Sequence, residues 1–220
     1  MALLLKHDHY YHIYNRGNNY ENIFTEEKDY LYFLKTLEIY IIPVADIYAW
    51  CLMKNHFHLL VRIKEEREIG YLNAANAKSE NPELKWKTYL LDESNQDFNR
   101  KPKPIQQFKH IFNAYASWFN IVHKRRGSLF EFDYKRKLVD NLKQLLNLIL
   151  YIHRNPVTHG FVDHISEYPW ISYHSIISEE SSLVKKEVVL NYFESVENFK
   201  YVHKSLMFSK RPDLEDLETK

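Results

Sequence analysis

The sequence predicts an α+β fold in which an antiparallel sheet carries helices on one face. Three observations support this prediction. Segments rich in β-formers flank a segment with helical apolar spacing, two β-rich segments are joined by a tight turn at Lys54 and Asn55, and helical spacing returns later in the chain. The order strand, helix, strand, strand is the opening of an α+β sandwich with an antiparallel pair in its sheet. With 220 residues, of which 45% are hydrophobic, the chain can build one substantial core.

The beginning of the chain contains three predicted strands and one helix. Residues 10–17, YYHIYNRG, are rich in β-formers and end in turn residues, which predicts a strand. A capped helix start follows at Thr25, and apolar residues recur at helical spacing until Pro43. Residues 45–53 and 57–63 then predict two strands joined by a tight turn.

The middle of the chain is less regular. Residues 65–78 fit a short helix. Residues 79–104 are polar, contain prolines and lack periodicity, so we interpret them as a loop or an insertion. Residues 105–123 regain helical periodicity and end at a basic cluster, which predicts a long helix.

A further strand and a further helix complete the expected domain. Residues 128–139 predict a strand or an extended arm. Asp140 is the predicted N-cap of a helix whose apolar face continues until Pro156 stops it. We therefore expect one domain over residues 1–178 and a C-terminal extension over residues 179–220.

Charge is distributed unevenly along the chain. The net charge of +1 gives no general indication of nucleic-acid or membrane binding. Between residues 101 and 137, however, nine basic residues stand against two acidic ones, a local net charge of +7, and aromatic residues are interleaved with them. Such a segment suits a groove that follows phosphates and stacks bases. The alternative is a solvated helix face beside ordinary core aromatics.

The expected location of the protein is the cytoplasm. The single cysteine, Cys51, excludes an intrachain disulfide and fits a reducing compartment. The apolar part of the opening MALLLK is too short for a secretory signal. No segment approaches the ~20 consecutive apolar residues of a membrane span.

Two histidines interrupt the apolar segment MKNHFHLLVRI. In a strand, residues two apart project from the same face, so His56 and His58 can present both imidazoles to one point. This arrangement suits a metal ion. Two histidines that hydrogen-bond locally on a half-exposed strand are the alternative, and further ligands are needed to distinguish the two interpretations.

A second candidate group lies in the segment YIHRNPVTHG. Tyr151 and Asn155 are four residues apart, so a phenol and an amide lie one helical turn apart on the same face. An amide oxygen can be a third metal ligand, and a phenol beside a bound phosphate can be a nucleophile. Taken alone, Tyr151 also fits a core aromatic and Asn155 a residue that ends a helix.

Several motifs together resemble one family. The segment AWCLMKNHFHLLV resembles the His-hydrophobic-His strand of HUH-type single-tyrosine transposases, especially the REP-associated tyrosine transposases. The segment YIHRNPVTHGFV resembles their nucleophile helix, YYHIYNRG their first strand, RRGSLFEFDYKRK the segment before the nucleophile helix, and YPWISY a closing turn. The resemblance extends in consistent order from about Tyr10 to Tyr173, and several motifs in register are more specific than any one of them.

This resemblance implies a ferredoxin-like HUH endonuclease sandwich and assigns roles to its site residues. It implies that His56 and His58 are metal ligands, that Asn155 is the third ligand, and that Tyr151 is the nucleophile. The implied cofactor is a divalent metal, Mg²⁺ or Mn²⁺. Better-known insertion-sequence relatives have glutamine at the position of Asn155, and both side chains offer an amide oxygen.

The resemblance also implies a reaction and a partner. The implied activity is metal-dependent cleavage and strand transfer of single-stranded DNA near a hairpin, through a 5′-phosphotyrosine intermediate, as in DNA transposition. The implied partner is single-stranded or hairpin DNA, with no membrane. The oligomeric state stays open, a homodimer included, because some relatives exchange nucleophile helices. The residues that we expect to contact DNA are Arg16, Lys124, Arg125, Arg126, Lys135, Arg136, Lys137 and Arg154.

Three alternatives remain at this point. Tyr115 is a rival nucleophile, ranked second because Phe119 rather than a polar ligand follows it one turn later. The protein could instead be a catalytically silent relative that binds structured single strands. It could also be a metallohydrolase that uses the two histidines to activate water, with Tyr151 structural.

Overall fold

The computed structural model describes residues 4–69, 102–131 and 133–206. Its centre is a four-stranded antiparallel sheet in the order β2-β3-β1-β4. The strands are β1 (Tyr10–Arg16), β2 (Ala45–Met53), β3 (His56–Ile63) and β4 (Lys135–Val139). With one helix between β1 and β2 and another between β3 and β4, this is the ferredoxin-like arrangement. The predicted α+β class is confirmed.

Six α-helices accompany the sheet in the described part of the chain. They are α1 (Glu27–Tyr40), α2 (Pro104–Val122), α3 (Leu142–Thr158), α4 (Ser172–Ile177), α5 (Lys186–Tyr192) and α6 (Val196–Leu206). Of the predicted helix over residues 65–78, the described part contains one 3₁₀ turn, Glu66–Glu68. The rest of that prediction, and most of the predicted loop over residues 79–104, lie outside the described residues.

The helices cover both faces of the sheet, which corrects the expectation of one helical face. Phe57 of β3 packs against Phe33 of α1 and Phe112 of α2. Its neighbour His58 points to the other face, where its ring meets Tyr151 of α3. All nine residues of β2 are buried, and a strand buried on both sides needs a layer on each. The second layer places α3 over the face that carries the histidines.

The ends of α3 differ from the sequence prediction. Asn141, not Asp140, is the N-cap, because its side-chain oxygen accepts a hydrogen bond from the Gln144 N–H at 2.9 Å. Pro156 lies inside the helix, which continues to Thr158. A proline so close to a helix end removes only one backbone donor from the last turn, so the helix tolerates it.

The described part of the predicted C-terminal extension packs on the sheet. The Lys185 N–H donates to the Ile47 carbonyl at 2.9 Å, and Val184 forms a parallel bridge with Ile47 at the edge of β2. Phe199 of α6 is completely buried. Residues 179–206 therefore share the core of the sheet domain. None of the helices in the described ranges has the length and apolar character needed to cross a bilayer.

Candidate active site and nucleic-acid interface

Three predicted metal ligands meet at the start of β3. The strand alternation places His56 and His58 on one face, with their ring centres 5.2 Å apart. Asn155, near the end of α3, brings its side-chain oxygen to 3.0 Å from Nε2 of His56. A strand and a helix that are far apart in sequence thus supply one cluster.

The contacts of His56 fit a shared cation. Nδ1 lies 2.8 Å from the side-chain oxygen of Asn55, and Nε2 lies against that of Asn155. A neutral imidazole has one N–H and can donate to only one of these oxygens, so the other contact brings two lone pairs together. A divalent ion could be ligated by both Nε2 of His56 and the side-chain oxygen of Asn155. In the described part of the chain no three His, Cys, Asp or Glu side chains form a metal cluster. The resemblance assigns the third ligand to the Asn155 amide.

A third histidine, missed in the sequence, supports the pair. His12 of β1 places Nε2 at 2.9 Å from Nδ1 of His58, and both side chains are buried. Through this contact the second ring nitrogen of His58 is engaged, which fixes the ring orientation, as outer hydrogen bonds do for metal-binding histidines. In the antiparallel pairing of β1 and β3, His12 lies opposite Leu60. Leu60 is two residues from His58 on the same strand, so His12 and His58 project from the same face of the sheet.

Tyr151 lies beside these histidines, in the same chain. Its ring centre is 5.5 Å from that of His58 and 6.1 Å from that of His12, with edge-to-face geometry. Only 7% of the residue is exposed. The helical spacing carries Asn155 to the same side of α3 one turn later. The structure therefore brings together all four residues that the resemblance assigns to the site.

Tyr115, the rival nucleophile, is on the opposite side of the sheet. Its hydroxyl donates to the Ile23 carbonyl at 2.5 Å, and its ring packs on Phe33. Burial raises the pKa of Tyr115 far above its ordinary value. In this position the side chain is part of the core between α1 and α2, away from the histidines.

A directed chain of hydrogen bonds holds α3 in place. His153 lies between Tyr151 and Asn155 in sequence, and its two ring nitrogens contact Ser172 Oγ at 2.7 Å and His203 Nε2 at 2.9 Å. Since the Phe199 carbonyl can only accept, Nδ1 of His203 donates to it.

The directions of the other bonds in this chain follow. Nε2 of His203 must accept from His153, whose second nitrogen then accepts from Ser172, while the Ser172 oxygen accepts from the Trp50 N–H. Both histidines are neutral in this chain. Burial lowers the pKa of His203 to about 4 and that of His153 well below its ordinary value.

A cleft opens in front of the histidines. Its volume is about 710 Å³, and both His56 and His58 line it. Its other lining residues are Tyr14, Asn15, Arg16, Tyr20, Asn22, Lys54, Asn55, Glu131, Lys135, His159 and Phe161. A smaller cavity of about 380 Å³ contains Phe112 and Tyr134 and none of the site histidines. The larger cleft combines basic, amide and aromatic side chains beside the candidate ligands, as an interface for nucleic acid requires.

The predicted DNA contacts of β4 divide between the two faces of the sheet. Lys135 pairs with Tyr14 and lines the cleft, and Lys137 lies over the ring of Tyr14 at 5.9 Å. Arg136 alternates to the opposite face, where it lies 5.0 Å from the ring of Tyr134. Two of these three cations thus face the candidate site.

The remaining predicted contacts have different surroundings. Arg125 is paired with Glu21 and donates to the carbonyls of Gly127 and Ser128, so it ties a turn together. Lys124 and Arg126 are exposed in the same turn.

Two predicted contacts lie on site elements. Arg16 reaches the mouth of the cleft and pairs with Glu131 at 2.5 Å. Arg154 is half-buried on α3, one position before Asn155.

Comparisons with known proteins agree with this geometry. No protein-family model matches the chain. A curated protein of Haemophilus influenzae, whose name places it among the REP-associated tyrosine transposases, is 25% identical over 133 residues. That match covers 60% of this chain, and the chain spans 61% of the length of that relative. A solved REP-associated tyrosine transposase bound to a REP hairpin superimposes with a TM-score of 0.51 over 84% of this chain and 92% of its own, at 15% identity. The chain is thus similar in sequence to a REP-associated tyrosine transposase and has the fold of one, which confirms the resemblance that its motifs indicate.

Proposed function

We propose that the protein is a metal-dependent endonuclease and strand transferase that acts on single-stranded DNA beside a hairpin. The observation that carries this proposal is the meeting of Tyr151, His56, His58 and Asn155 on one face, next to a basic cleft. The solved structural neighbour is bound to a REP hairpin, which supports structured DNA as the partner class.

The proposed chemistry assigns one task to each group. The oxygen of Tyr151 attacks phosphorus and forms a phosphotyrosine at the 5′ end, while the bond to O3′ breaks and the 3′-hydroxyl leaves with one proton, balancing the proton lost by the phenol. His56, His58 and Asn155 would hold Mg²⁺ or Mn²⁺, which when bound supplies positive charge against the phosphate oxygens. Lys135 orients the strand through its phosphates.

Tyr151 must become accessible for this reaction. The residue is 7% exposed and is not among those that line the cleft. We propose that α3 shifts relative to β3 so that a phosphate reaches the phenol. Since Tyr151 and Asn155 lie on α3, such a shift would move both relative to His56 and His58, which stay in place on the sheet.

A covalent-adduct assay tests the proposal. The protein is incubated with Mn²⁺ and labelled single-stranded hairpin DNA taken from the sequence that flanks its own gene, and a covalent protein–DNA band is sought after denaturation. We expect a band for the wild type, no band for Tyr151→Phe, and a retained band for Tyr115→Phe. The last variant is the matched control, because it also removes one tyrosine hydroxyl but on the other side of the sheet.

Two outcomes contradict the proposal in different ways. Cleavage of the DNA without a covalent band, retained in Tyr151→Phe, identifies a metallohydrolase. Salt-sensitive hairpin binding with no cleavage under Mg²⁺ or Mn²⁺ identifies a non-cutting relative. The burial of Tyr151 is the observation that favours this second candidate.

A further inference from the structure

Two exposed aromatic rings stand at the mouth of the cleft, each with a cation beside it. They are Tyr20 with Arg16, and Phe161 with Lys54. We infer that these rings are stacking positions for two unpaired bases of the single strand that flanks the hairpin. This inference rests on the proposed function and adds to it the means by which the flanking strand is held.

Tyr20 is held outward by a tight turn. It is 67% exposed, and the guanidinium of Arg16 lies 4.5 Å from its ring centre. Asn19 and Tyr20 both have left-handed backbone, with φ of 53° and 60°, a conformation that costs energy for residues other than glycine. Gly17 permits the turn, because a Cβ there would lie 2.0 Å from the Glu21 carbonyl oxygen. Surrounding structure therefore maintains a strained turn that exposes an aromatic ring.

Phe161 is fixed at the other side of the mouth. It lies three residues after the end of α3, next to Gly160 with its left-handed φ of 69°. Its N–H donates to the Pro156 carbonyl at 2.9 Å, and its ring packs edge-to-face on Tyr168 at 6.3 Å. It nevertheless remains 40% exposed, with the Lys54 ammonium 5.9 Å from the ring centre. A fixed ring loses little freedom when a base stacks on it.

The two rings belong to one rim. The turn that carries Lys54 accepts hydrogen bonds from the N–H groups of Ile23 and Phe24, and the adjacent Asn55 carbonyl accepts from Gly17. These hydrogen bonds join the loop of Tyr20 to the turn at Lys54 and Asn55. His56 is the next residue after that turn. Two of the candidate ligands, His56 and His58, line the same cleft as both rings.

The chemistry of the rim favours a nucleic-acid strand. Single exposed aromatics are ordinary on protein surfaces, but here two share one cleft with the cations Arg16, Lys54 and Lys135. Glu131 offsets one of these charges through its pair with Arg16. Every base offers a flat face to an aromatic ring, and the cations meet the phosphates between the bases.

A binding experiment with two DNA forms tests the inference. Fluorescence anisotropy measures the affinity for a labelled hairpin with single-stranded flanks and for the same hairpin without flanks. The variants are Tyr20→Ala and Phe161→Ala, with Tyr201→Ala as control, because Tyr201 is 69% exposed on α6 and does not line the cleft. For the flanked DNA we expect each cleft variant to bind roughly 5- to 150-fold more weakly, and the control to bind as the wild type does.

Abasic nucleotides in the flank identify the stacked bases. One abasic position should weaken binding to the wild type by the same factor as Tyr20→Ala, and should have no further effect on that variant. A second position should behave in this way with Phe161→Ala. Thermal melting of each variant confirms that the fold is intact.

Two results would overturn the inference. In the first, both cleft variants bind the flanked hairpin with the affinity of the wild type. In the second, the variants lose the same factor of affinity for the flanked and the unflanked hairpin. Neither result bears on the covalent-adduct assay, which decides the proposed function by itself.

Discussion

At the scale of single residues, the candidate site depends on how each imidazole is oriented. His56 lies between two amide oxygens, and His58 lies against His12. A metal ligand needs its lone pair on the ring nitrogen that faces the metal, and the contact at the other nitrogen decides which one that is. In the proposed metal site, His12 would therefore act through its contact with His58.

Replacing His12 should weaken metal binding. In His12→Phe the second nitrogen of His58 loses its partner ring, so we expect the Mn²⁺ affinity measured by calorimetry to fall roughly 10- to 100-fold. His12→Asn can still hydrogen-bond and should retain a larger part of the affinity. His9→Phe is the control, since this exposed histidine contacts the carbonyl of His7 instead. If His12→Phe and His9→Phe bind Mn²⁺ with equal affinity, His12 does not position His58 for metal binding.

At the scale of elements, α3 is connected to three other parts of the fold. The directed chain from the Trp50 N–H through Ser172, His153 and His203 to the Phe199 carbonyl joins β2, α4, α3 and α6. Every buried polar atom in this chain has a donor or an acceptor, and both imidazoles must be neutral for that to hold. The hydrogen bonds that hold α3 therefore depend on the protonation of these imidazoles.

This dependence predicts a loss of stability in acid. The folded pKa of His203, about 4, lies below the ordinary value of 6.5, so the unfolded chain binds more protons between these values. The contribution to the free energy of unfolding is complete above pH 6.5 and is lost as pH falls toward 4, by about 3 kcal/mol. His153, whose pKa is lowered in the same direction, adds to this loss, and Tyr173 and His174 are the other titratable groups near the pair.

Thermal unfolding at several pH values checks this prediction. The melting temperature should fall from pH 7 to pH 4.5, and His203→Gln should reduce the slope, because the amide keeps a donor and an acceptor but does not titrate. An unchanged slope in His203→Gln would assign the acid sensitivity to other groups.

At the scale of the whole molecule, the C-terminal segment closes one edge of the sheet. Val184 and Lys185 bond to Ile47 on β2, and Ser172 bonds to Trp50 on the same strand. Residues 179–206 also bring Phe199 into the core. These residues therefore belong to the same folded domain as the candidate site.

Shortening the chain should show this requirement. A protein that ends at residue 178 loses the buried side chains of Val189, Phe193 and Phe199, each of which contributes about 1.5 to 3 kcal/mol. Their sum approaches the whole free energy of unfolding of an ordinary domain, so we expect this protein to aggregate or to lack a cooperative melting transition. A protein that ends at residue 206 keeps these contacts and should show a cooperative melting transition. Similar melting of both shortened proteins would contradict the structure of this segment.

The four strands and helices α1 to α3 could be predicted from the sequence because they depend on local periodicity. The same periodicity places the candidate site residues on their elements, whereas their roles came from the resemblance and stay predictions. Spacing alone puts His56 beside His58 on a strand and Tyr151 above Asn155 on a helix. His12 was missed because its contact with His58 depends on the register of β1 and β3, which joins positions 46 residues apart. The second helical layer was missed for a similar reason, since the complete burial of β2 depends on what packs on each face.

The other edge of the sheet, β4, has only five residues and begins with Lys135, Arg136 and Lys137. A short, densely charged edge strand discourages pairing with a strand of another copy. The same cations are thus both candidate phosphate contacts and a protection against aggregation. If these three residues were replaced by neutral ones, weaker DNA binding could not be distinguished from loss of soluble protein. Glutamate replacements reverse the charge toward DNA and keep the edge charged, so they separate the two effects.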